Sequence, residues 1–226
     1  MVGGEVLMGI LLAIDTSAGT SVALIRDGVL AAELNVTDNM KHAETVGAAI
    51  ADVLSRAGVS GRDVQEVVVG RGPAPFTGLR VGIAAAVMFA EGSGAKLSGL
   101  VSLDAIALLA LKQRPANETR PLLVTTDARR SEVYWALYSG LSDKGVALRI
   151  EGPQVIKPVA LEELLASRNI DAQTTNLAIT GSAVGELALA LRAAGELESD
   201  VSALYLRAPD AVEPKASGQF GKRVSS

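Results

Sequence analysis

Cysteine is absent from this chain, which removes disulfides, thiolate nucleophiles and cysteine-ligated metals together. Histidine occurs once, at His42, so the chain cannot build a two-histidine metal site on its own. Valine stands at position 46, where the second ligand of a His-x-x-x-His pair would fall. His42 therefore reads as a structural or partner-facing residue. Aromatics are scarce, at three Phe, three Tyr and one Trp spread along the sequence, and no platform for stacking RNA bases is visible. No apolar run reaches bilayer-spanning length. Residues 1–9 carry Glu5 and no basic leader, so no signal peptide is expected and a soluble, cytoplasmic protein is. An excess of positive charge is missing too. The formal net charge of -4 argues against a protein that grips nucleic acid alone through a basic face.

What is present is small and apolar. Hydrophobic residues make up 49% of the 226 positions, mostly Ala, Val and Leu, which suits closely packed helices on sheet. The length allows one large domain or two small ones. The chain opens as an antiparallel meander. Residues 10–14 form an apolar strand, 21–25 a second, and 30–36 a third after an Arg26-Asp27-Gly28 hairpin turn with Gly at the positive-φ position. The first connection places Asp15, Thr16 and Ser17 at the end of a buried strand. Such a turn can receive a phosphate on hydroxyl and backbone donors, with Asp15 as a magnesium partner. It can equally satisfy its own backbone. Beyond His42-Ala43-Glu44, Val46, Ala49, Ile50, Val53, Leu54 and Ala57 recur at helical spacing, and Gly58 ends the element.

The organising stretch follows. An apolar strand at 64–69 feeds Gly70-Arg71-Gly72-Pro73-Ala74-Pro75-Phe76-Thr77-Gly78-Leu79-Arg80-Val81-Gly82. Gly72 and Gly78 allow backbone that a β-carbon forbids, and Pro73 and Pro75 stiffen the crossing. Thr77 is placed to cap the next helix. Unpaired N–H groups at that helix start can hold an anion, with Gly72, Thr77, Gly78 and Arg80 as the contacts, although a plain rigid turn explains the same spacing. No Gly-Lys-Ser/Thr follows, so this is not a Walker loop. The helix then runs apolar on every face from Val81 to Ala90. It is either buried within the domain or covered by another chain, and Gly82, Ala84, Ala85 and Ala86 would admit a second helix closely.

A strand at 97–101 and a helix at 103–112 capped by Ser102 complete the first unit, and the proline-bounded break at 114–121 is the boundary. The second unit repeats the pattern. A strand at 122–126 reaches Asp127-Ala128-Arg129-Arg130, a return strand covers 132–138, and a third covers 146–150. A short helix at 161–167, a strand at 177–180, a tight turn at 181–185 and a helix at 186–194 follow. A strand ending in Asp before a hairpin occurs at both Asp15 and Asp127, which points to a duplicated actin-like build. Arg129 and Arg130 read either as a solvated turn or as phosphate contacts. Residues 204–209 read as a last packed segment, and 210–226 as a disordered tail.

Ile14-Asp15-Thr16-Ser17, His42-Ala43-Glu44, Gly72 to Gly82, Asp127-Ala128-Arg129 and Tyr205-Leu206-Arg207 occur in that order, and together they resemble the bacterial TsaB (YeaZ) family. The resemblance covers residues 10–209, and Phe76 to Gly82 is its most specific block. Ala74 and Pro75 depart from it, standing where the family commonly has Gly and Ser. Pro75 thereby removes a backbone donor. The resemblance implies an α/β, actin-like (ASKHA) fold of two βββαβα-type lobes, in a non-catalytic paralogue of TsaD. The lobes would be residues 1–113, carrying the partner-binding helices, and 114–209, whose last helix packs back on the first lobe. It implies no catalytic or metal residue in this chain. It further implies dimerisation with TsaD, recruitment of the ATPase TsaE, transfer of a threonylcarbamoyl group to tRNA by that complex, and a homodimer when the paralogue is absent. ATP or ADP and magnesium, and tRNA, would come through the complex rather than to this chain alone. The partner interface maps to Val46, Ala49, Ile50, Val53, Leu79, Gly82, Ile83, Ala85, Ala86 and Phe89.

Two other readings compete. An actin-like small-molecule kinase or ATPase would set the Asp15 and Asp127 turns around Mg-nucleotide, but its phosphate turns are poor in glycine. A peptidase would need a Ser/His/Asp order that one histidine does not supply, and the metal route is closed.

Overall fold

The computed structural model describes residues 9–37, 42–175 and 177–207, without the side chains of His42, Ala43 and Glu44. The tail expected at 210–226, and the role expected for the His42 side chain, lie outside the described residues. The first unit consists of strands β1 (Ile10–Asp15), β2 (Thr20–Arg26) and β3 (Val29–Val36), helix α1 (His42–Ala57), strand β4 (Glu66–Gly70), helix α2 (Phe76–Ser93), strand β5 (Lys96–Leu100) and helix α3 (Ser102–Gln113). The second consists of β6 (Leu122–Asp127), β7 (Val133–Leu141), β8 (Ala147–Ile156), helix α4 (Pro158–Ser167), β9 (Gln173–Thr175) and helix α5 (Gly181–Ala194).

The first sheet has the order β3-β2-β1-β4-β5, antiparallel across β3, β2 and β1 and parallel from β1 through β4 to β5. The second has the order β8-β7-β6-β9, again an antiparallel meander followed by a parallel strand. Alternation along the strands explains the layering. Leu12, Ile14, Val22, Leu24, Val67 and Val69 face one way and bury the inner stripes of α1 and α2. Leu11, Ala13, Ala23, Ile25 and Val68 face the other way, onto α3 and α5. The same central core takes Leu122, Val124, Tyr134, Ala136 and Tyr138 from the second sheet. The outer face of that sheet buries Trp135 and Leu137 against Leu161 of α4. The molecule is thus layered as helices, sheet, helices, sheet, helix.

The two units exchange helices. Helix α3, from the first unit, packs on β6, β7 and β8, whereas α5 lies across β1 and β2 of the first sheet. The break at 114–121 therefore separates the sheets but not the packing units. Helix α5 is fastened at both ends. Its first N–H groups donate to side chains of β3, Ser182 to Glu33 Oε1 (2.7 Å) and Gly181 to Asn35 Oδ1 (3.2 Å). Unpaired N–H groups at a helix start favour such acceptors. Near its other end Arg192 pairs with Glu66 at the start of β4. Between them Gly185 lies so close to Ile25 that a β-carbon there would overlap its side chain.

Several local expectations are corrected. Residues 177–180 are not a strand; the short parallel strand is β9, which starts four residues earlier at Gln173. Gly181 to Gly185 is not a turn but the first turn of α5, capped by the Thr180 side chain on the Ala183 N–H (3.1 Å). Thr77 does not cap α2. Pro75 holds the cap position without a side-chain hydrogen bond, and Thr77 is exposed inside the first turn. Ser102 does not cap α3, because its hydroxyl is engaged elsewhere.

Candidate functional site

The C-terminal ends of β1 and β4 meet the start of α3 around Asp15. Its carboxylate is fully buried. Oδ1 accepts the Ser17 N–H (2.7 Å) and hydroxyl (2.6 Å), and Oδ2 accepts the Ser102 hydroxyl (2.6 Å). The Ser102 hydroxyl in turn accepts the Gly72 N–H (3.1 Å). Thr16 donates to the Gly78 carbonyl (2.8 Å), pinning the first turn of α2. Burial pushes the Asp15 carboxyl above its ordinary range, and the Ser102 and Ser17 hydrogen bonds only partly oppose it. Space here is tight. A β-carbon at Gly70 would overlap Asp15, and one at Gly82 would overlap Thr16. Chemically, Asp15, Thr16, Ser17 and Gly72 are already partnered to one another or to α2 and α3. This is a structural junction, and it leaves Asp15 without an open face for a metal–phosphate group.

The second proposed turn, at Asp127, differs. Asp127 and Arg129 are both exposed and partner each other, through the Arg129 N–H (2.8 Å) and a 3.5 Å ion pair. Arg129, Arg130 and Ser131 all adopt left-handed backbone, with φ of 62°, 54° and 58°, which three non-glycine residues in a row seldom do.

A strap formed by residues 196–207 ties these regions together. Glu198 bridges to Gly99 on β5, and Asp200 and Glu198 pair with Arg71. The Leu204 N–H donates to the Arg71 carbonyl (2.8 Å). Tyr205 then stacks on Phe76 (centroids 4.5 Å apart), and the Arg80 guanidinium lies 5.4 Å from both rings while its Nε donates to the Tyr205 hydroxyl (2.7 Å). Two residues on, Arg207 pairs with Glu132 beside the left-handed turn. Arg80 is therefore engaged by the strap. The sequence marks Ser102 only as a helix cap and Gly70 only as part of the loop; their place against Asp15, and that of Glu132 against Arg207, has no local pattern. Sequence reading quoted the Tyr205-Leu206-Arg207 block without a role.

The helix pair α1–α2 is corrected in detail. Val46, Ala49, Ile50, Val53, Leu79, Gly82 and Ala86 are buried within this chain, against its own first sheet or its connecting loops. Their side chains cannot form a contact surface, because the amphipathic stripe they define is the core stripe. Ile83, Ala85 and Phe89 are half-buried. The outward positions are Gly47, Ala48, Ala51 and Ser55 on α1, and Thr77, Arg80, Ala84 and Met88 on α2. Met88 is 72% exposed and lines a shallow groove with Phe89, Gly61 and Arg62. The all-round apolarity of α2 thus resolves into a buried stripe and an uncovered one.

A duplicated meander with exchanged helices, and with aspartate turns at the ends of both first strands, defines an actin-like α/β protein. A family model described as "TsaD: tRNA N6-adenosine threonylcarbamoyltransferase" matches residues 37–215. An uncharacterized protein of Mycobacterium leprae is 38% identical over 160 residues, 69% of this chain and 41% of that protein. The tRNA threonylcarbamoyladenosine biosynthesis protein TsaB of Escherichia coli is 34% identical over 154 residues, 68% of this chain and 64% of that one. The match thus spans less than two thirds of either relative. The solved structure of YeaZ from Pseudomonas aeruginosa superposes with a TM-score of 0.70 at 25% identity, covering 88% of this chain and 100% of that one. The chain belongs to the TsaB/YeaZ family. No helix among the described residues is long and apolar enough to cross a membrane.

Proposed function

We propose that this chain is a non-catalytic subunit of the assembly that makes N6-threonylcarbamoyladenosine in tRNA, and that it works by docking a TsaD-type paralogue and, through the complex, a TsaE-type ATPase. Family membership supports the process. The observation that carries the non-catalytic reading is the enclosure of Asp15. In a nucleotide-using actin-like enzyme this carboxylate would need an open face toward metal and phosphate, and here its oxygens are taken by Ser17 and Ser102. The same enclosure weighs against the small-molecule kinase or ATPase reading.

The docking surface in this reading is the outward stripe of α1 and α2, running from Ala48 and Ala51 across Ala84 to Met88. Small residues let a second pair of helices approach closely, and Met88 offers an adaptable apolar contact. With no paralogue present the same stripe would pair two copies of this chain. Reconstitution of tRNA modification with purified components tests the proposal. Modification should depend on this chain, and the chain alone should hydrolyse no ATP. Full modification in its absence, or ATP turnover that Asp15→Asn abolishes, would reject it.

A further inference from the structure

Away from the Asp15 and Asp127 turns, a cavity of about 610 Å³ opens between β5, β8, the start of α3 and the residues that follow α5. That volume lies within the range of small-molecule sites. Leu100, Val101, Val146, Leu148, Leu191 and Leu197 give it apolar walls. Charged groups are set among them, Asp104, Arg149 and Arg71 with Glu196 and Glu198. Asp104, in the first turn of α3, accepts the Tyr138 hydroxyl (2.7 Å) and faces one nitrogen of Arg149 at 3.5 Å. A guanidinium has five N–H donors, and this single long contact leaves Arg149 with donors to spare. Arg71 also lines the cavity. Its terminal nitrogens pair with Asp200 and Glu198, but its buried Nε has no partner among the described residues. Burial lifts the Asp104 carboxyl above its ordinary range, with Arg149 and Tyr138 opposing.

The balance of charge selects the ligand. A plain anion would meet Asp104, and also Glu196 and Glu198, which line the same cavity. A plain cation would meet Arg149 and Arg71. A zwitterion whose two charged groups are attached to one carbon suits both, because it can enter the loose Asp104–Arg149 pair and give each partner a charge-assisted hydrogen bond. The leucine- and valine-lined wall then takes an aliphatic group. We propose that this cavity binds a free α-amino acid with an aliphatic side chain, its carboxylate on Arg149, its ammonium on Asp104 and its side chain among Leu148, Leu191 and Leu197. The proposal stands independently of the role in tRNA modification.

Calorimetric titration of the full chain with L-leucine tests it. Saturable one-to-one binding is expected. Leucinamide lacks the carboxylate, 4-methylpentanoate lacks the ammonium and L-serine lacks the aliphatic body, so each should bind at least roughly ten-fold more weakly. Arg149→Gln should abolish binding, and Arg149→Lys should weaken it, with circular dichroism checking the fold of both. No saturable heat with L-leucine at millimolar concentration would overturn the proposal. So would leucinamide or 4-methylpentanoate binding as well as L-leucine, a comparison that needs no variant to fold. Unchanged affinity in a folded Arg149→Gln protein would overturn it too.

Discussion

The Ser102 hydroxyl donates to Asp15 Oδ2 at 2.6 Å and accepts the Gly72 N–H at 3.1 Å. One hydroxyl at the start of α3 thus joins the end of β1 to the loop after β4. Ser102→Ala would leave a buried carboxylate oxygen and a buried amide without that partner. We expect a loss of about 1–3 kcal/mol in stability, read from urea denaturation, with no change in the slope of the transition.

Asp15 gives the pH dependence. Its folded carboxyl lies above the ordinary value because of burial, so the folded state holds the proton more tightly than the unfolded chain. Its contribution to stability is complete below the unfolded pKa and is lost as pH rises through the raised folded value. Asp15→Asn should therefore flatten the stability profile on the side where pH rises above the ordinary aspartate range. At neutral pH the cost should stay within about 1–3 kcal/mol, because the amide keeps an acceptor for Ser17 while its NH2 stands where an oxygen accepted the Ser102 hydroxyl. Denaturation curves across mildly acidic to neutral pH would show a persisting slope if another group were responsible.

Gly185 and Ile25 test the packing of α5 on the first sheet. Gly185→Ala alone should cost about 1–3 kcal/mol by overpacking. Its β-carbon would meet chiefly Cδ1 of Ile25, so adding Ile25→Val should restore most of the loss. A double-mutant cycle measures the coupling; strict additivity would mean that the helix relaxes away instead.

The strap offers a graded series. Tyr205→Phe removes the hydrogen bond from Arg80 but keeps the stack on Phe76, whereas Tyr205→Ala removes both. Amide exchange across residues 196–207 should quicken slightly in the first and strongly in the second, with the sheet cores unaffected. The stack is worth about 0.5–1.5 kcal/mol beyond its area. Equal exchange in both variants would place the restraint elsewhere, at Arg71 or Arg207.

Met88→Glu and Ala84→Glu test the outward stripe of α1 and α2. Both sites are exposed, so the folded monomer should tolerate them within about 0.5 kcal/mol. In an apolar contact either unpaired carboxylate should weaken association with the TsaD-type paralogue by roughly ten-fold or more. Gel filtration of the mixed proteins reads the result. Ala86→Glu is the contrasting case. Ala86 is fully buried against this chain's own sheet, and the substitution should unfold the protein rather than expose a contact.

The sequence alone determined the element order and the paired meanders, because strand alternation and helical spacing are local patterns set by backbone geometry, and the order of its motifs, Phe76 to Gly82 above all, carried the resemblance to the family. It also excluded thiol chemistry and a two-histidine metal site, since no fold can supply a missing side chain. Tertiary structure decided the rest. Whether the Asp15 turn opens to a ligand depends on Ser102, 87 residues away in the chain, and on Gly70, whose missing side chain leaves the space that Asp15 fills. Which stripe of the apolar run from Val81 to Ala90 faces water depends on where the sheet lies, and within that run no polar residue records the direction. That α5 lies across the first sheet was an expectation only of the family resemblance, and that α3 packs on the second sheet was no expectation at all: a helix's sequence states how much surface it must bury, not which sheet will bury it.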